Sequence, residues 1–227
     1  MEKNQKPTAF GTWDTRKYMK KSLCLLRHPS IPSEYGGKYL GRKEVSLSEE
    51  GVQEIEKIKV KVQEKFLNGK VYLSPSIQCK ETFHTLGFPK EIHPELRDEL
   101  QELDFGNWEG RSFSELAEIN LEGLKKFANF SSSFRFPNGE SLNEFQRRTE
   151  IFKEHILSSP DRYIFILSHG GILSSLLCSF LGLPYSFYTK FKISPSTLIY
   201  LDIFHNGQAV LTDLIRIPGI RRSEWPG

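Results

Sequence analysis

Ser22-Leu23-Cys24-Leu25-Leu26-Arg27-His28 is a short apolar run ending on a basic pair, and Tyr163-Ile164-Phe165-Ile166-Leu167-Ser168-His169 repeats the design much later in the chain. Apolar runs of this length predict buried strands. Each run delivers a histidine to its carboxyl end. In open α/β sheets, ligands bind outside the carboxyl ends of the strands, so the two histidines are expected in one site. Arg27, beside the first of them, suggests the ligand's sign: an anion.

The elements around these two runs follow from periodicity and punctuation. The Gly- and Pro-containing loop over 29–46 is too long for a simple connection and is therefore expected to be functional. Ser48 has the character of an N-cap, and Val52, Ile55, Ile58, Val62 and Phe66 recur at helical spacing until Asn68-Gly69 closes the helix. Val71-Tyr72-Leu73 is the next predicted strand, followed by Ser74-Pro75 and a short helix to about Leu86. Glu91-Ile92-His93 predicts a further short strand. Ser141 and Glu144 form a capping box for a long helix carrying Leu142, Phe145, Phe152 and Ile156 on one face. A helix over 171–182 follows the second histidine. Strands near 197–203 and 208–215 flank His205-Asn206-Gly207, a hairpin-turn signal. Strands alternating with helices predict an α/β fold: a three-layer α/β/α sandwich with a mostly parallel central sheet and an antiparallel edge strand.

Composition bounds the function classes. The chain has 227 residues, 38% of them hydrophobic and 12% aromatic, enough for the core of one domain. Net charge is +3, but residues 1–21 carry six basic side chains against two acidic ones, so the remainder sits near −1. A chain that is near neutral apart from a basic leader does not suit broad nucleic-acid contact, and no nucleic-acid or membrane partner is expected. Residues 1–21 read as a flexible extension and 22–220 as a single domain. The apolar runs are far short of a membrane span, and no secretory leader is recognisable. Cys24, Cys79 and Cys178 are odd in number and lack any C-x-x-C spacing, which argues against a disulfide framework or a zinc site. A cytoplasmic protein without metal or cofactor is expected. The late strands offer a pairing edge for a homodimer. Residues 112–136 contain Phe127, Phe130, Phe134 and Phe136, read as an apolar lid over a leaving group in preference to a small satellite core.

Hydrolysis of a phosphomonoester without a metal requires mostly positioning and electrostatic stabilisation. A neutral imidazole can act as the nucleophile, and a carboxyl group can protonate the departing oxygen. Arg27 can clamp two phosphate oxygens. His169, if protonated, supplies another cation, and the backbone N–H groups at the start of the helix after it form an anion site. His28, Arg27, His169 and one acidic residue make a complete set.

The ordered motifs Leu25-Leu26-Arg27-His28, Tyr39-Leu40-Gly41 with Leu47-Ser48-Glu49-Glu50-Gly51, Ser74-Pro75, Leu100 to Gly110, Pro137-Asn138-Gly139-Glu140-Ser141 and Leu167-Ser168-His169-Gly170-Gly171 resemble the histidine phosphatase (phosphoglycerate mutase-like) superfamily. The resemblance spans about residues 22–215. It implies that His28 is the phosphorylated nucleophile and Arg27 a phosphate-binding arginine. It further implies that His169 polarises the phosphoryl group and Glu102 is the acid. It places Gly41, Gln78 and Gly170 among the substrate-binding residues and a small phosphorylated metabolite as the substrate. The run from Asp104 to Gly110 looks most like the alpha-ribazole phosphatase branch.

Two departures from the pattern stand out. Pro29 follows the nucleophile where the family usually has glycine, which removes one backbone donor. Gln78 occupies the slot of the second phosphate arginine, and Arg42, Lys38 and Arg97 are the cations that could reach in instead. A mutase returning the phosphoryl group to substrate, and a degenerate member that only binds a phosphorylated ligand, are the alternatives. The retained set of Arg27, His28, Glu102 and His169 favours the phosphatase, because binding alone needs no acid.

Overall fold

A computed structural model describes residues 19–131 and 133–217. Most of the basic leader, and residues 218–220 of the expected domain, lie outside the described residues. The elements are β1 (Met19–Arg27), α1 (Glu49–Lys59), α2 (Glu64–Leu67), β2 (Lys70–Leu73), α3 (Ile77–Leu86), β3 (Glu95–Leu96), α4 (Phe113–Ala128), α5 (Leu142–Ser158), β4 (Tyr163–Ser168), α6 (Gly170–Leu181), β5 (Thr197–Phe204) and β6 (Ala209–Arg216). One six-stranded sheet has the order β3-β2-β4-β1-β5-β6. The first four of these strands pair in parallel, whereas β5 runs antiparallel to both β1 and β6. The α/β class and the mostly parallel sheet with its antiparallel edge are as expected.

Strand alternation builds the three layers. Leu23 and Leu25 of β1 join one core cluster with Ile199, Leu201 and Ile203 of β5 and apolar residues of α4, α5 and α6. Cys24 and Leu26 face the other way, into a second cluster with Leu198, Tyr200 and residues of α1, α2 and α3. Successive side chains of a strand point to opposite faces, so a strand apolar throughout must be covered on both. The caps agree with the sequence: Ser48 accepts from Gly51 N, and Ser141 with Glu144 forms the capping box of α5. All three cysteines are buried and free. Among the described residues no helix is long and apolar enough to cross a membrane.

Several boundaries differ from expectation. The strand β1 starts at Met19, and Lys21 pairs with Ile203 of β5. Lys21 is itself buried, its ammonium donating to the carbonyls of Ser159 and Asp161; residues 19–21 thus belong to the sheet, because those carbonyls replace water around the ammonium. The short strand expected at 91–93 forms instead at Glu95–Leu96, where Tyr72↔Glu95 and Leu73↔Leu96 set the register. The helix expected through 68 breaks after Lys59 and resumes as α2. The phenylalanines of 127–136 are not laid out as a free cover. Phe134 and Phe136 are buried, and both pack with Phe127 and Trp108 in an aromatic cluster continuous with the core.

Candidate active site

The β1–β4 register decides the site. Arg27 pairs with Ser168, and His28 N–H donates to Ser168 O at 3.0 Å, so the next residue on each strand is a histidine at the same level. Their ring centroids are 5.0 Å apart at 68°. The neighbouring strand β2 ends at the same level, with Ser74 N–H donating to Leu167 O at 3.0 Å. Three strand ends therefore converge where the chain order switches across the sheet, which is where α/β sheets bind ligands.

His28 is held on every side. Its Nδ1 lies 2.8 Å from the Pro29 carbonyl. A carbonyl only accepts, so Nδ1 carries the proton and Nε2 keeps its lone pair. Pro29 thus supplies the contact that sets the tautomer, while its missing N–H costs this interaction nothing. Burial, with the Arg27 charge adding to it, pushes the His28 pKa down to about 3 against the opposing pull of the Pro29 carbonyl. The ring is neutral at physiological pH. Glu54, buried on α1, accepts from Ser30 N and Ser30 Oγ at 3.1 and 2.8 Å and from Ser196 Oγ. Ser196 N–H in turn donates to the His28 carbonyl at 3.3 Å. Nothing in the sequence marks Glu54 except that it is an acid on the buried face of a helix.

Arg27 donates from Nη1 to Ile193 O at 2.6 Å, and its Nε is buried without a partner. A buried donor left unpaired costs on the order of 1–3 kcal/mol, and such atoms mark places where a ligand completes the set. Gly170 gives this arginine room, since a Cβ there would stand 3.1 Å from Arg27 Nη1.

His169 is buried, with Nε2 2.9 Å from Ser74 Oγ and 3.2 Å from Ser76 Oγ. Its pKa is lowered well below the usual range by burial first, then by His28, Arg27, Arg148 and Arg42. Burial and the neighbouring cations thus work against the protonated form of His169 that would add a further positive charge to the site. Ser74 belongs to the Ser74-Pro75 signal at a strand end, whereas Ser76 carries no signal of its own, and the histidine both serines meet lies across the sheet.

Glu102 is 7% exposed and does something the sequence did not announce. Its Oε2 accepts Gly171 N–H at 2.7 Å, and its Oε1 accepts Ile172 N–H at 3.1 Å and Leu103 N–H at 3.0 Å. The helix N-terminus expected to greet the ligand is capped by this carboxylate. Gly171 permits the approach, because a Cβ there would fall 2.5 Å from Glu102 Oε1. The segment bearing Glu102 is anchored by Arg148, whose Nη1 donates to Glu99 O and Gln101 O and whose Nη2 donates to Glu102 O, while Nε and Nη2 grip Glu140.

Gly41 is a packing residue rather than a ligand donor. Its N–H is engaged by the Glu109 carboxylate at 2.9 and 3.0 Å, and a Cβ there would meet Leu103 O at 1.8 Å. Gln78, at the start of α3, is 4% exposed; its Nε2 lies 3.5 Å from Lys43 O and its Oε1 is buried without a partner. Among the described residues no three His, Cys, Asp or Glu side chains gather as a metal-ligand group. The structure thus brings together Arg27, His28, Glu102, His169 and Gly170, holds Gln78 beside the 41–44 loop, and leaves Gly41 as packing.

The family model described as "Histidine phosphatase superfamily (branch 1)" matches residues 23–213. The adenosylcobalamin/alpha-ribazole phosphatase of Escherichia coli is 25% identical over 187 residues, covering 80% of this chain and 89% of its own. Phosphoserine phosphatase 1 of Hydrogenobacter thermophilus is 24% identical over 170 residues, covering 74% and 80%. Among solved structures, the alpha-ribazole phosphatase of Shigella flexneri superposes with a TM-score of 0.75 at 24% identity, over 88% of this chain and all of its own; at that identity the likeness is one of fold.

Proposed function

The chain belongs to branch 1 of the histidine phosphatase superfamily and is a phosphomonoesterase of that family, and on this premise we propose that it acts through a phosphohistidine on His28 with Glu102 as the acid. The observation that carries the reading is the Nδ1–H of His28 on the Pro29 carbonyl. It leaves Nε2 with its lone pair, in a site that also holds an unpaired guanidinium donor of Arg27. The Nε2 lone pair forms the N–P bond as the ester O–P bond breaks, and Glu102, which has to enter this step as the protonated carboxylic acid, gives its proton to the departing alkoxide. Water then attacks phospho-His28, returning a proton to Glu102 and releasing inorganic phosphate. Arg27 stabilises the charge spread over the equatorial oxygens throughout. Once the phosphoryl dianion is bound, it offsets the surrounding cations and favours a protonated His169.

The substrate is a small phosphorylated metabolite. An alpha-ribazole phosphate is the finer reading, supported by the run from Asp104 to Gly110 and by the relatives of that name; phosphoserine belongs beside it on any panel because of the Hydrogenobacter relative. Phosphate release from p-nitrophenyl phosphate and these esters, measured in excess EDTA with His28→Ala as control, tests the proposal. Turnover that persists in EDTA and disappears in the control, with ³²P label from the ester retained on the wild-type protein in samples quenched in alkaline detergent and lost on acid treatment, is the expected result. Equal turnover by the control would sink it.

A further inference from the structure

Among the described residues, the buried side-chain atoms without a hydrogen-bond partner are Arg27 Nε, Arg42 Nε, Gln78 Oε1 and Thr197 Oγ1. Three of these four belong to the phosphate arginine, the empty arginine slot, and one further arginine. The loop carrying that arginine is pinned from both sides. Arg42 N–H donates to Glu109 at 2.9 Å, Gln78 reaches the carbonyl of Lys43, and Ile77 N–H at the head of α3 donates to Glu44 at 2.6 Å. The Arg42 guanidinium donates from Nη1 to Gln101 Oε1, next in sequence to Glu102. Its charge also reaches His169.

Among the other basic side chains, Arg97 and Arg148 are engaged elsewhere. Arg97 forms ion pairs with Glu95 and Glu99 beside the sheet edge. Lys38 is exposed in the loop that bridges to Ser112. Arg148 is bound to Glu140 and three carbonyls. Arg42, by contrast, has no carboxylate within ion-pair distance among the described residues, and it keeps a buried donor unpaired.

We propose that Arg42, presented by the loop between β1 and α1, supplies the second guanidinium to the phosphoryl group that Gln78 cannot supply from α3. The proposal rests on the phosphomonoesterase reading of His28. The cation has moved from helix to loop while the charge in the site is kept, and Gln78 serves as a brace for that loop through Lys43. The Nε–Nη2 edge of a guanidinium presents two parallel donors, which suits two phosphate oxygens, and Arg42 Nε has no partner among the described residues.

The test is vanadate and inorganic phosphate affinity by isothermal titration, with kcat and KM for p-nitrophenyl phosphate, in wild type, Arg42→Gln, Gln78→Arg and the double variant. Arg42→Gln is expected to weaken both anions roughly tenfold to a hundredfold, the loss of one charge-assisted contact, and the double variant to recover most of that loss. Recovery separates charge from scaffolding, since a guanidinium from α3 does not rebuild the Gln101 contact. If Arg42→Gln fails to fold, Arg42→Lys reads the same point, with a smaller loss because charge is kept and the fork is not. Unchanged anion affinity in the Arg42 variant, or a double variant as weak as Arg42→Gln, overturns the proposal. Failure of the phosphomonoesterase reading looks different: His28→Ala would then leave turnover intact whatever the Arg42 variants do.

Discussion

The Glu102 carboxylate lies 2.7 Å from Gly171 N, so the residue proposed as the acid caps the helix that begins directly after His169. Acid and second histidine are thereby locked to one another through a single helix end. His169 itself, the N-cap residue of α6, makes no side-chain capping bond. A carboxylate from another part of the chain satisfies the helix donors, and the favourable macrodipole interaction with an anion orients it.

This coupling makes Gly171→Ala a selective lesion. The new Cβ would fall 2.5 Å from Glu102 Oε1 and displace the carboxylate, while alanine suits the helix better than glycine. For alkyl phosphates, whose leaving groups need a proton, kcat is expected to fall by roughly 10²–10⁴, the range for a lost general acid. The drop for p-nitrophenyl phosphate should be much smaller, with vanadate affinity kept. Steady-state kinetics across leaving groups checks this; equal losses on all esters would separate Glu102 from proton transfer.

Packing of residues 127–136 yields a second expectation. Phe136 is fully buried, with ring centroids 5.1 Å from Phe105, 5.0 Å from Trp108 and 4.9 Å from Phe134. Phe136→Ala should therefore cost about 3–5 kcal/mol of stability, read as a fall in the urea midpoint. Unchanged stability with a shifted KM would restore the lid reading of this segment.

Stability should also report the neutral histidine. A folded His28 near pKa 3, against about 6.5 in the unfolded chain, means that between those values the unfolded state binds more protons. Stability is then complete above about pH 6.5 and declines as pH falls toward 3, with a slope of about 1.4 kcal/mol per pH unit for one such group. His169 is shifted in the same direction and adds to the decline. Urea titrations from pH 7.5 to 4.5 on wild type and His28→Asn should show a shallower dependence in the variant; parallel profiles would contradict a neutral buried His28.

What was legible in the sequence was local. Apolar runs ending in Arg27-His28 and Ser168-His169 declared two strands and their chemistry, Ser141 with Glu144 declared the start of α5, and Asn206-Gly207 declared the β5–β6 hairpin, because each signal is contained within a few bonded residues. The strand at Glu95–Leu96 was missed since two residues carry no period. Burial of Lys21, the capping of α6 by Glu102, the lowered pKa of His169 and the placement of Arg42 against Gln101 each join residues far apart in the chain. Residue order determined which groups this protein owns and the ends of which elements carry them. Tertiary structure alone decided which donors are satisfied and which charges stand together, because hydrogen bonding and desolvation depend on distances in space that residue spacing does not encode.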